Sequence, residues 1–160
     1  MMMIKLCTAV LFGLAASTIV SAQTEFPKPE GLAPGTGYSH VVVTSPGKLV
    51  FIAGQVARDA KGNLVGKDDL KAQTDQVFAN LKAALASTGA TFNDVVKINW
   101  YVKSYKAEYL PVLREVRDRY INKTNPPAST LIGVAALAND DYLLEVEAVA
   151  ALPNKAAKKK

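Results

Sequence analysis

Cysteine and histidine are almost absent from the chain. Cys7 and His40 are single occurrences in 160 residues. Cys7 lies in an apolar N-terminal leader, so a chain that has lost the leader carries no thiol. Disulfides, thiol catalysis and zinc–thiolate sites are then excluded. One histidine cannot build a multi-histidine metal site, and His40 is read as incidental. No G-x-S-x-G nucleophile elbow occurs. "GTG" at 35–37 leads into no helix and does not qualify as a phosphate loop. A usable excess of positive charge is missing as well, although the formal net charge is +5. Five of the 19 basic residues (Lys5, Lys155, Lys158, Lys159 and Lys160) sit in the leader or the tail, so 14 remain against 14 acids. The body is neutral, with no basic stripe interleaved with aromatics, and nucleic-acid binding is not expected.

Long apolar runs are limited to the leader. Lys5 precedes "LCTAVLFGLAASTIV", and "VSA" followed by "QT" supplies small residues for cleavage after Ala22. Residues 1–22 read as a secretory signal peptide, with a retained anchor as the competing reading. The expected product begins at Gln23, is periplasmic or secreted, and keeps no stable membrane association.

The rest divides into an irregular arm (23–37), one domain (38–153) and a basic tail (154–160) read as a solvated, disordered end. Within the domain, "YSHVVVTS" and "KLVFIAGQV" are β-rich runs flanking Pro46-Gly47 and suggest a hairpin. "DDLKAQTDQVFANLKAALASTGA" is a helix with Leu70, Thr74, Val77, Phe78, Leu81 and Leu85 on one face. Asp68 or Asp69 caps its start and Gly89 ends it. "DVVKINWYVK" is a strand with Val96, Ile98, Trp100 and Val102 on one face and Lys97, Asn99, Tyr101 and Lys103 on the other. A second helix starts near Leu110, where Pro111 suits the first turn. "STLIGVAAL" and "YLLEVEAVAAL" read as strands joined by an "ANDD" hairpin. The order ββαβαββ predicts an α+β domain, a mixed sheet with two helices on one face. The other face then calls for a second subunit, and an oligomer is expected.

Glu145 and Glu147 alternate with apolar residues in the last strand, so both carboxylates point one way. Same-face Cα atoms there lie roughly 6.5–7 Å apart. Two readings stay open on spacing alone. The acids form a coupled acid–base pair, or they are solvated or paired with a neighbouring lysine such as Lys97. Gly54, inside "IAGQ", marks a bulge or a close backbone approach.

In family order, "PGTGYSHVV", "LVFIAGQV", "DLKAQTDQVFANLKAALASTGATFNDVVKINWYVK" and "NPPASTLIGVAALANDDYLLEVEAVAAL" resemble the motifs of the RidA (YjgF-type) reactive-intermediate deaminases. The resemblance spans Gly35 to Leu152. It implies a chorismate-mutase-like fold, a homotrimer with small-molecule clefts between subunits, no cofactor or metal, and hydrolysis of imines and enamines to a keto product and ammonia. Residue by residue, it makes Glu145 the acid that orients or activates water and Glu147 a less direct neighbour. Tyr38 becomes the cleft tyrosine, Gly54 a backbone lining, and Leu131 the position of a backbone contact. Ser129 departs from the pattern, because deaminating members carry arginine there to grip a substrate carboxylate. Ala53 likewise replaces a common serine. Serine offers one neutral hydroxyl where arginine offers two charge-assisted hydrogen bonds. Two functions follow from the resemblance: an imine/enamine hydrolase with a weakened grip on 2-imino acids, or a non-catalytic module binding a small molecule or a partner.

Overall fold

The computed structural model describes residues 24–45 and 47–153. The leader with Cys7, residue Pro46 of the expected turn, and the basic tail lie outside the described residues. The strands are β1 (Thr24–Glu25), β2 (Val43–Thr44), β3 (Gly47–Gln55), β4 (Val95–Lys103), β5 (Ala128–Val134) and β6 (Leu144–Pro153). The helices are α1 (Leu70–Ser87) and α2 (Leu110–Arg117). The predicted α+β architecture is observed: a mixed four-stranded sheet ordered β3-β6-β4-β5, with both helices packed on one face. β6 is antiparallel to both β3 and β4, and β5 is parallel to β4.

The helices form where the sequence places them. The Asp69 carboxylate accepts a hydrogen bond from the Ala72 amide at 3.0 Å and caps α1. Gly89, at φ +79°, takes the left-handed turn that ends it, a conformation glycine adopts without a Cβ clash. Val77, Phe78, Leu81 and Leu85 then meet Val50, Ile52, Ile98, Trp100, Val146 and Ala148 in the core. α2 begins at Leu110 with Pro111 in its first turn and buries Leu113 and Val116. It stops at Arg117, so Tyr120 and Ile121 belong to the turn that follows.

Neither predicted hairpin forms. β5 and β6 do not pair with each other, because β4 lies between them. β6 is buried at every second residue (Leu144, Val146, Ala148, Ala150) and fills a central slot with partners on both edges. The β4–α2–β5 crossover carries β5 to the outer side of β4, as parallel pairing requires. At the other end, Tyr38–Val42 leaves the strand conformation. Val43–Thr44 pairs instead with Thr24–Glu25 of the arm expected to be irregular, forming a separate ribbon. Ser39 makes an isolated parallel bridge to Ala128. Its amide donates to the Pro127 carbonyl (3.1 Å) and its hydroxyl to the Pro126 carbonyl (2.7 Å).

The start of β6 is fixed by a residue the hydrophobic pattern passes over. Gln73 on α1 is fully buried. Its Nε2 donates to the Asp141 carbonyl (2.7 Å), and its Oε1 accepts from the Leu143 amide (2.8 Å). The side-chain amide thus satisfies both backbone groups at the entry to β6. Replacing it with leucine keeps the volume and strands both groups. At about 1–3 kcal/mol for each unsatisfied buried group, Gln73→Leu is expected to lower stability by roughly 2–6 kcal/mol. Urea denaturation of the two proteins checks this.

Candidate functional site

The bulge in β3 builds the first part of the site. Pairing with β6 runs regularly to Ile52↔Ala148 and resumes at Gln55↔Val146, so Ala53 and Gly54 are out of register. Glu145 lies over that irregularity. A Cβ placed on Gly54 would sit 2.6 Å from Glu145 Cδ and 2.8 Å from its Cγ. Glycine leaves that space to the Glu145 side chain. Gly54 and Glu145 were singled out separately, one for its strand position and one for its alternation, and they are brought into contact. The carboxylate of Glu145 makes no hydrogen bond or ion pair to any described residue, although it is half-buried.

Glu147, two residues on, has a different setting. Asn99 Nδ2 donates to its Oε1 at 2.7 Å, and the Tyr101 hydroxyl donates to the same oxygen at 3.1 Å. That hydrogen bond, with partial burial and the nearby charges of Glu147 and Glu145, raises the Tyr101 phenol above its ordinary pKa of 10.0. Lys97, the expected partner, donates to Thr130 Oγ1 at 2.6 Å and pairs with neither acid. Asn99 and Tyr101 were legible as one face of β4, but their cross-strand alignment with Glu147 and Glu145 needs the register.

Tyr38, Ser129 and Leu131 gather elsewhere. They line a cavity of about 180 Å³ with Trp100, Arg114 and Arg117. The Ser39–Ala128 bridge sets Tyr38 beside Ser129. Tyr38 also meets the His40 ring edge-on at 5.1 Å, and His40 Nε2 lies 2.7 Å from the Ala33 carbonyl oxygen. This cavity shares Trp100 and Leu113 with the helix-covered side of the sheet, whereas Glu145 and Gly54 belong to the open side. The five proposed site residues therefore form two groups within one chain. Arg114 and Arg117 carried no motif signal. Among the described residues, no three of His, Cys, Asp and Glu come together to hold a metal ion.

A mixed sheet with helices on one face, and a carboxylate over a glycine bulge on the other, defines the class: a small α+β domain with a candidate site on its open sheet face. The comparisons name the family. The family model described as Endoribonuclease L-PSP matches residues 29–152, and the chain belongs to that family, the YjgF/RidA family. A crystal structure of the Rid-family protein YyfB from Yersinia pestis is 40% identical with a TM-score of 0.74, over 81% of this chain and 98% of that one. A RutC family protein of Pyrococcus horikoshii is 36% identical over 78% of this chain and 90% of its own length. A protein of Dermatophagoides farinae named 2-iminobutanoate/2-iminopropanoate deaminase is 27% identical over 76% of this chain and 88% of its own.

Gly54→Ala pushes against the movable end of Glu145 and not against backbone. The variant is therefore expected to fold with a melting temperature close to that of the parent while the Glu145 carboxylate is displaced. A crystal structure of the variant, beside its melting curve, checks both halves. For Tyr101, deprotonation would end the hydrogen bond to Glu147 and set two anions together, which is why its pKa is raised. Glu147→Gln removes that charge, so the phenol is expected to ionise at lower pH than in the parent. Ultraviolet titration at alkaline pH, with Tyr101→Phe as the subtraction reference, reads the shift.

Proposed function

We propose that this chain is a cofactor-free hydrolase of reactive imines and enamines, working in clefts formed between copies of itself. The observation that carries the reading is the Glu145 carboxylate: half-buried, seated on Gly54 and bound to no described residue. A carboxylate in that condition is able to accept a proton from water. The hydroxide equivalent adds to the C=N carbon while the nitrogen is protonated. The resulting carbinolamine collapses, its C–N bond breaks, and ammonia leaves behind a ketone or keto acid. The similarity to a relative named as a 2-iminobutanoate/2-iminopropanoate deaminase supports this chemistry. Export before use, by way of residues 1–22, belongs to the same reading.

Assembly is part of it. The sheet face opposite the helices carries Phe51 at 76% exposure, Leu49 at 48% and Ile132 at 45%. Apolar exposure on that scale around polar groups marks an interaction surface. A homotrimer joined over this face would bring one copy's open side towards the edge of another.

One observation favours a second reading. The resemblance puts Ser129 where deaminating members carry the carboxylate-gripping arginine, and a member without that grip would serve as a small-molecule or partner-binding module. The test is semicarbazide trapping of 2-iminobutanoate generated in place. The parent is expected to accelerate loss of the imine, and Glu145→Ala to abolish the acceleration. Light scattering on the same samples is expected to give a trimer, which Phe51→Asp dissociates. Parent and Ser129→Arg proteins that are both silent on this substrate and on uncharged imines would decide for the binding module.

A further inference from the structure

The cavity beside β5 contains an uncommitted cation. Two arginines of α2 line it, and their settings differ. Arg117 is engaged: its Nε and Nη2 donate to Asp118 Oδ1 at 2.9 and 2.7 Å, and its guanidinium packs on Gly37, where an added Cβ would lie 3.0 Å from Cζ. Arg114 has no such partner. Its Nε is buried without a hydrogen bond. No carboxylate among the described residues comes within ion-pairing distance of its guanidinium. A buried N–H of a charged group is normally satisfied, and leaving it open is unfavourable. An unpaired guanidinium on a cavity wall is a candidate binding group for that reason.

The surroundings favour an anion. No acid lines the cavity; Tyr38, Ser129 and Thr36 are its hydroxyl-bearing neighbours, and Trp100, Leu113 and Leu131 are apolar. At about 180 Å³ the cavity suits a ligand of a few heavy atoms with a short apolar part. The planar fork of a guanidinium matches a carboxylate through two parallel hydrogen bonds. One free cation balances one negative charge, so a monocarboxylate fits better than a doubly charged phosphate.

We propose that Arg114 is the anion-holding residue of this cavity and that the cavity takes a small monocarboxylate, with the Ser129 hydroxyl and the Tyr38 phenol beside it. This deepens the hydrolase reading and rests on it for the substrate: the carboxylate of an imino acid is held from α2 instead of from position 129 of β5. Specificity for acidic substrates then resides on a helix that none of the family motifs quoted above marks.

Trp100 is the chain's one tryptophan and lines the cavity, so its emission reports occupancy. The probe is 2-hydroxybutanoate, titrated into the full assembled protein, with uncharged 2-hydroxybutanamide as its counterpart. The acid is expected to give a saturable change and the amide none over the same range. Arg114→Gln is expected to weaken acid binding about tenfold or more, and Arg114→Lys, which keeps the charge and loses the fork, to fall between. Equal binding of acid and amide, inorganic phosphate binding more tightly than the acid, or Arg114→Gln within twofold of the parent would overturn the assignment. The parent comparison of acid with amide needs no variant to fold. Turnover separates the two readings. Activity that needs Glu145 and ignores Arg114 sinks this inference alone. Arg114-dependent binding of the acid without turnover sinks the hydrolase reading alone.

Discussion

The sheet depends on where β6 begins, and Gln73 decides that. Its two hydrogen bonds to Asp141 and Leu143 hold the chain one residue before the strand starts. Side chains in a strand alternate, so a slip of one residue would turn Leu144, Val146 and Ala148 outward and bring Glu145 and Glu147 into the helix-packed core. Two buried carboxylates without cations would be prohibitive there. The amide, the apolar alternation and the bulge over Gly54 therefore enforce the same register by three routes. Glu145 sits where it does because a helix eighteen residues long presents an amide to the strand's entry.

Individual elements were legible in the sequence, and their pairing was not. α1, α2, β4 and β6 follow directly from spacing, caps and alternation. Local turn signals suggested that neighbours in sequence pair with each other, as "ANDD" did for β5 and β6. The central slot went to β6 because its alternate residues are small and apolar enough to lie under α1 with a partner strand on each edge. That is a competition between strands for burial, which no short window contains. Tyr38–Val42 has β-favouring residues and still leaves the strand, because Ser39 finds the Pro126 and Pro127 carbonyls at the open edge of β5.

The site was legible to the extent that its residues are marked by what is odd about them. Acids in an apolar strand and a glycine inside another are both anomalies, and one contact explains both. Spacing alone made Glu145 and Glu147 equivalent. The fold separates them, because Asn99 and Tyr101 occupy Glu147 and leave Glu145 bare. Arg114 was hidden for the opposite reason. An arginine on a short amphipathic helix is ordinary until its neighbours are known, and only the packing shows that no carboxylate of the described residues reaches it.

The sheet itself keeps the two unpaired charges apart. Glu145 lies on the open side and Arg114 on the side covered by helices, with the backbone layer between them. An acid and a guanidinium on one face of a small domain would find each other, and the resulting ion pair would neutralise both. Held apart, each retains a partially desolvated charge with no partner among the described residues, a condition that favours any ligand able to supply the missing one. A single chain cannot present both groups to one small molecule. In the assembly proposed above, the open face of one copy set towards the β5 edge of another would do so. The unpaired charges and the uncovered apolar face are thus two consequences of the same division of residues across the sheet, and the association proposed above would relieve both.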